Sequence, residues 1–184
     1  MRFATLQPLL PGTGIGTGGS TQLVAGNRVF NNASRGISAT FTTTVERNVA
    51  YSNGAHGSYV QGGLVSASRG PYVRSNISYA NGSSGIYVDS GTDTEVWGNT
   101  VYQLTGDGIV LGTQSVNTSM RNNIVVVGVA GIGLNYGTAA HTNLRSDYNL
   151  VRMTGGGSFG RLGGQTHVTK ADFFFATGFD QHAI

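Results

Sequence analysis

The chain has 184 residues, enough for one domain with a sizeable core, and carries 30 glycines, 39 % apolar residues and only 10 % charged residues. This balance excludes a disordered chain, and without a three-residue glycine period it excludes collagen. The net charge of +3 comes from 11 scattered Lys and Arg with no basic run, so nucleic acid is not an expected partner, and the absence of cysteine removes disulfides and thiolate chemistry.

Residues 1–20 form an N-terminal segment with an apolar patch (Phe3, Leu6, Leu9, Leu10) broken by Pro8, which is too weak a pattern for a signal peptide. No run of 18 apolar residues occurs anywhere, so no transmembrane helix and no membrane partner is expected. The glycine run from Pro11 to Gly19 mimics a dinucleotide fingerprint. It lacks the following helix and the acidic residue that such a site needs.

From residue 21 to 155 the chain repeats. Asn27, Asn48, Asn76, Asn99 and Asn122 each stand nine residues before Gly36, Gly57, Gly85, Gly108 and Gly131, with steps of 21, 28, 23 and 23 between successive asparagines. Each unit reads as Asn-x-Val/Ile, a polar turn, then Gly-Ile followed by alternating residues, as in NTVYQLTGDGIVL at 99–111. Units this short have no room for a helix and predict short strands stacked in parallel, with aliphatic residues filling a common interior. In the stretch NGSSGIYVDS at 81–90, Gly85 is expected to permit the turn, Ile86 and Val88 to point inward, and Tyr87 and Asp89 outward. The segment 156–184 is expected to close the stack. Thr169 and Asp172 make a capping box and Gly178 a stop, so residues 170–177 should form a short helix whose phenylalanines cover the end of the core. At the opposite end, either residues 1–20 fold over the first coil as a cap or two chains meet there as a homodimer, the second being the preferred expectation.

The Asn-x-Val/Ile…Gly-Ile-x-Val repeats resemble right-handed parallel β-helix proteins of the pectate-lyase-like superfamily, relatives of polysaccharide lyases and uronate epimerases. The resemblance covers most of the chain. It implies an all-β, right-handed parallel β-helix (solenoid) of about six to seven coils with asparagine ladders at one turn, in a secreted or cell-surface protein. It also implies a carbohydrate-related function on acidic polysaccharide or oligosaccharide, with Ca2+ as the candidate cofactor. Enzymes of this superfamily have more coils, so the chain is expected to be a minimal member or the C-terminal part of one. A non-catalytic saccharide-binding or structural surface module is the alternative.

Strand alternation makes the outward rows readable. Ser38, Tyr59, Tyr87, Val110 and Gly133 should stack in one row, and Thr40, Gln61, Asp89, Gly112 and Asn135 in the next. A third should hold Arg35, His56, Ser84, Asp107 and Ala130. Tyr59 and Tyr87 would offer rings to a sugar, and Gln61 and Asp89 hydrogen bonds to its hydroxyls. Removal of a C5 proton from a uronate needs a base and a positive charge, for which His56, Arg35 and Asp107 are the candidates, with Arg74 and Arg69 as further cations. A hydrolase would need two carboxylates, and Asp89 with Asp107 is the candidate pair. Asp89, Asp93 and Glu95 supply oxygen ligands for Ca2+, although no calcium-loop consensus is present. The run DPH followed by an acid, typical of mannuronan epimerases, and the arginine signatures of pectate lyases are both missing.

Overall fold

The computed structural model describes residues 12–19, 21–63 and 70–184. The apolar part of the expected N-terminal cap (Phe3, Leu6, Leu9 and Leu10) with its homodimer contact, and Arg69, lie outside the described residues. About six turns of a parallel β-solenoid are present, each turn contributing one strand to each of three sheets. The first sheet contains Ile37–Thr40, Ser58–Gln61, Ser84–Asp89, Asp107–Leu111 and Ile132–Asn135, flanked by Ile15–Gly16 on one side and Ser158–Leu162 with Gln165–His167 on the other. The second runs from Leu23–Ala25 to Arg145–Asp147 and the third from Arg28–Phe30 to Leu150–Met153. Among the described residues, all pairings between coils are parallel, and only the last hairpin, Ser158–Leu162 with Gln165–His167, is antiparallel.

The corner between the second and third sheets explains the asparagines. One residue per coil sits there in the left-handed region (Gly26, Arg47, Ser75, Gly98, Asn122 and Tyr148), and the next residue is the ladder asparagine. Asn27, Asn48, Asn76, Asn99, Asn123 and Asn149 each donate from Nδ2 to the next member's Oδ1 or, at the last rung, to Asp180. Asn123 therefore replaces the expected Asn122, which occupies the exposed turn position. The adjacent pair of asparagines concealed the slip. A second ladder, Asn32–Asn53–Asn81–Gln103, follows the third sheet and was not anticipated, although its asparagines stand five residues after those of the first.

Alternation along each strand behaves as expected: Ile86 and Val88 are fully buried, while Tyr87 and Asp89 are half-buried on the outside. Inward columns such as Val24, Val45, Val73, Val96 and Met120 fill the interior. The role expected for Gly85 is corrected. Its φ is not positive; instead a Cβ there would meet Val101 Cγ1 at 2.3 Å and Gly108 O at 3.0 Å. Gly36, Gly57, Gly108 and Gly133 face the neighbouring coil's carbonyl in the same way, so close stacking of backbone demands the glycine.

The C-terminal helix spans Lys170–Thr177, as its capping residues predict. Asp172 N–H donates to Thr169 Oγ1 at 3.1 Å, and Gly178, at φ 74°, donates to Phe174 O at 2.7 Å. Phe173 is fully buried against Tyr136, Phe159 and Phe179, whereas Phe175 is 85 % exposed, so the three helical phenylalanines do not share the covering role.

Asp180 ends the first ladder beneath this cap, fully buried, accepting from Ser146 Oγ and from Asn149 Nδ2 at 2.8 Å. Burial pushes its carboxyl above the ordinary 3.8, and the hydrogen bonds from Ser146 and Asn149 offset this only in part. A raised folded-state pKa means that the contribution of this group is fully present below the unfolded pKa and is lost as pH rises through the folded one. Asp180→Asn should therefore gain stability relative to wild type as pH rises from 4 to 7, read as the difference in melting temperature. A difference that is flat or falling with pH would contradict this account.

Candidate functional site

The outer face of the first sheet gathers side chains from consecutive coils because parallel pairing stacks equivalent positions about 4.8 Å apart. Ser38, Tyr59 and Tyr87 pair in register, as do Thr40, Gln61 and Asp89. Beyond Tyr87 the row continues through Val110, Asn135 and Arg161. Asn135 thus replaces the expected Gly133, because this coil has two more residues than the repeat predicts.

The tyrosines form a stack. Tyr59 and Tyr87 lie 5.4 Å apart and 15° from parallel, and the Arg35 guanidinium sits 3.5 Å from the centroid of the Tyr59 ring. The His56 ring is 4.8 Å from Tyr87, and its Nδ1 shares a 2.7 Å hydrogen bond with Ser84 Oγ. Tyr59 donates its hydroxyl proton to Asp89 at 2.7 Å, and Thr113 donates to the other Asp89 oxygen at 2.9 Å. Arg35, His56, Tyr59, Tyr87 and Asp89 thus form one connected cluster. Gln61 stands beside Asp89 in register and is exposed. The faces of the Tyr59 ring are occupied by Arg35 and Tyr87, so a ligand would meet its edge. Ser84 and Thr113 belong to the cluster without having been anticipated; Thr113 lies beyond the repeated positions and has no signal in the pattern.

Burial first, and then the Arg35 charge, hold His56 below its ordinary 6.5, so its ring is neutral at pH 7. Burial and the hydrogen bond to Asp89 push Tyr59 up to about 12, and burial, then the Asp89 charge, raises Tyr87. Both phenols therefore keep their protons at neutral pH, and Tyr59 donates its own to Asp89. His56 is the group in the cluster suited to accept a proton.

Asp107 stands apart. Its Oδ1 accepts from Ile132 N–H at 2.9 Å and its Oδ2 from Asn135 Nδ2 at 2.6 Å, which ties two coils together. Asp107 pairs with Ser84, five residues before Asp89 on the same strand, so the two acids are ~16 Å apart along the sheet at ~3.3 Å per residue. An inverting pair needs roughly 6.5–9.5 Å, and the candidate two-carboxylate site is thereby corrected. A cleft of about 300 Å³ opens beside Asp107, lined by Ser84, Tyr87, Asp107, Asn135 and Arg161 among others. Arg74 is on the second sheet, where it donates to Glu46 at 2.7 Å and stacks on Trp97, so it is not part of the cluster.

The three expected Ca2+ ligands also diverge. Asp89 is held by Tyr59 and Thr113, Asp93 accepts from Asn117 Nδ2 at 2.9 Å, and Glu95 lies on the second sheet. Among the described residues, no group of three or more His, Asp and Glu side chains is placed to hold a metal ion, so a calcium site at Asp89, Asp93 and Glu95 is not supported. No helix among the described residues is long and apolar enough to cross a membrane.

Residues 12–144 match the family model described as periplasmic copper-binding protein (NosD). No curated protein and no solved structure matches the chain.

Proposed function

The chain belongs to the NosD family of periplasmic copper-binding proteins, and on that footing we propose that it is a periplasmic β-solenoid that binds acidic saccharide on the outer face of its first sheet. The observation that carries this reading is the connected cluster of Arg35, His56, Tyr59, Tyr87 and Asp89, assembled from consecutive coils on an open face. The likeness of the coils and their asparagine ladder to pectate-lyase-like β-helices adds to it. An extended polymer lying across the coils meets a guanidinium for its carboxylates, and Gln61 and Asp89 for its hydroxyls.

The family description raises copper. Soft or imidazole ligands bind copper, yet the chain has no cysteine, Met120 is fully buried in the core, and Met153 packs against it. His56, His141 and His182 each engage a ring nitrogen with a different partner, and His167 packs on Phe173. The described residues do not fit a resident copper.

The proposed saccharide surface is tested by titrating oligogalacturonate, oligomannuronate and a neutral oligosaccharide by calorimetry. Arg35→Ala and Tyr87→Ala should each weaken uronate binding about tenfold, the size of one charge-assisted hydrogen bond. Unchanged affinity in both variants would remove this face as the site.

A second reading makes the same cluster catalytic: His56 takes the C5 proton, Arg35 stabilises the enolate, and the C4–O bond then breaks with the departing oxygen taking a proton from solvent. The lowered pKa of His56 favours it. Unsaturated product should then appear at a rate that rises with pH through an apparent pKa below 6.5, and His56→Ala should abolish it while leaving binding intact. A bound oligouronate that is never cleaved or epimerised would reduce the face to a binding surface.

A further inference from the structure

The second sheet carries a different polar concavity. A cleft of about 350 Å³ opens on its outer side, lined by Asp93, Glu95, Asn117, Ser119, Arg121, Asn143 and Arg145 among others. Ser119 pairs with Glu95 on one side and Arg145 on the other, while Arg121 follows two residues along the same strand. The two arginine backbones are therefore diagonal neighbours, ~8 Å apart from a strand spacing of ~4.8 Å and a rise of ~3.3 Å per residue.

Both guanidinium groups are exposed, and among the described residues neither makes an ion pair or a hydrogen bond. Of the three nearby acids, Asp147 and Asp93 are occupied, while Glu95 faces the cleft. Asp147 stands beside Arg121 in register, but its carboxylate accepts from His182 N–H at 2.8 Å and pairs with His182 Nδ1 at 2.7 Å. Asp93 accepts from Asn117, whose own Oδ1 accepts from Asn143, so the polar rim is already aligned by its own hydrogen bonds. Two available planar forks next to a row of amide and carboxylate acceptors suit a ligand with one anionic group and several hydroxyls. A polyanion fits poorly, because Asp93 and Glu95 would face its further charges.

We propose that this cleft is a second site, distinct from the first-sheet cluster, that binds a single carboxylated sugar unit: Arg121 and Arg145 take the carboxylate, and Glu95 and the Asn117–Asn143 row take the hydroxyls. The site does not depend on the function of the first sheet. The protein's one tryptophan, Trp97, pairs with Arg121 in register, so its fluorescence reports binding here.

Trp97 fluorescence of the intact protein is titrated with galacturonate, glucose and inorganic phosphate. Galacturonate should give a saturable change at about millimolar concentration, glucose none, and phosphate a weaker one. Arg121→Ala and Arg145→Ala should each weaken galacturonate about tenfold. Tyr87→Ala, on the first sheet, should leave it unchanged. The proposal is overturned if galacturonate gives no saturable change in wild type, if both arginine variants bind as wild type does, or if phosphate binds more tightly than galacturonate. Loss of signal with Tyr87→Ala alone would instead assign the sugar to the first sheet.

Discussion

Asn76→Ala should destabilise the protein by about 4 kcal/mol, since it strands several buried polar groups at once. Asn76 Oδ1 accepts from both the N–H and the Nδ2 of Asn48, at 3.0 and 3.1 Å. Its own Nδ2 donates to Val45 O at 2.8 Å and to Asn99 Oδ1 at 3.0 Å. Alanine removes all four bonds in the middle of the stack, where the site is 2 % exposed and water cannot replace them. Denaturant unfolding should show a large fall in the midpoint. The comparison of Asn122 with Asn123 sharpens the test: Asn122→Gly, at the left-handed turn position, should be nearly neutral, whereas Asn123→Ala should resemble Asn76→Ala. Equal effects at 122 and 123 would mean that the ladder register is wrong.

Gly108→Ala should cost about 3 kcal/mol through overpacking. The added methyl would lie 2.3 Å from Val125 Cγ1 and 2.6 Å from Gly133 O. The valine can shift, but the carbonyl belongs to the next coil and is held by the first-sheet ladder. Relief therefore requires parting two coils. Gly16→Ala is the control, since nothing lies within 4 Å of a Cβ there and its φ is not positive. The two variants should differ by about 6–12 °C in melting temperature, at roughly 2–4 °C per kcal/mol for a chain of this size. A Gly108→Ala protein as stable as Gly16→Ala would show that the coils are not packed backbone to backbone at this corner.

Which of these features were legible beforehand depends on how far each is encoded along the chain. Alternation put Ile86 and Val88 inside and Tyr87 and Asp89 outside because successive side chains on a strand take opposite faces, whatever the strand pairs with. The helix Lys170–Thr177 was legible for the same reason: Thr169, Asp172 and Gly178 act on backbone groups within four residues. Four of the five asparagine positions were correct because the turn that precedes each is local. Register between coils is another matter. It is set by hydrogen bonds that span 21, 28, 23, 24 and 26 residues along the first ladder, and a loop that changes length moves every partner after it. That is why Asn123 and Asn135 took the places expected for Asn122 and Gly133; Asp107, by contrast, keeps its expected place beside Ser84, so its distance from Asp89 follows from the strand itself and not from a slip. The pairing of charges was likewise decided only in three dimensions. Asp147 joins His182, 35 residues away, through the C-terminal fold, and so leaves Arg121 without the neighbour that its sheet position provides.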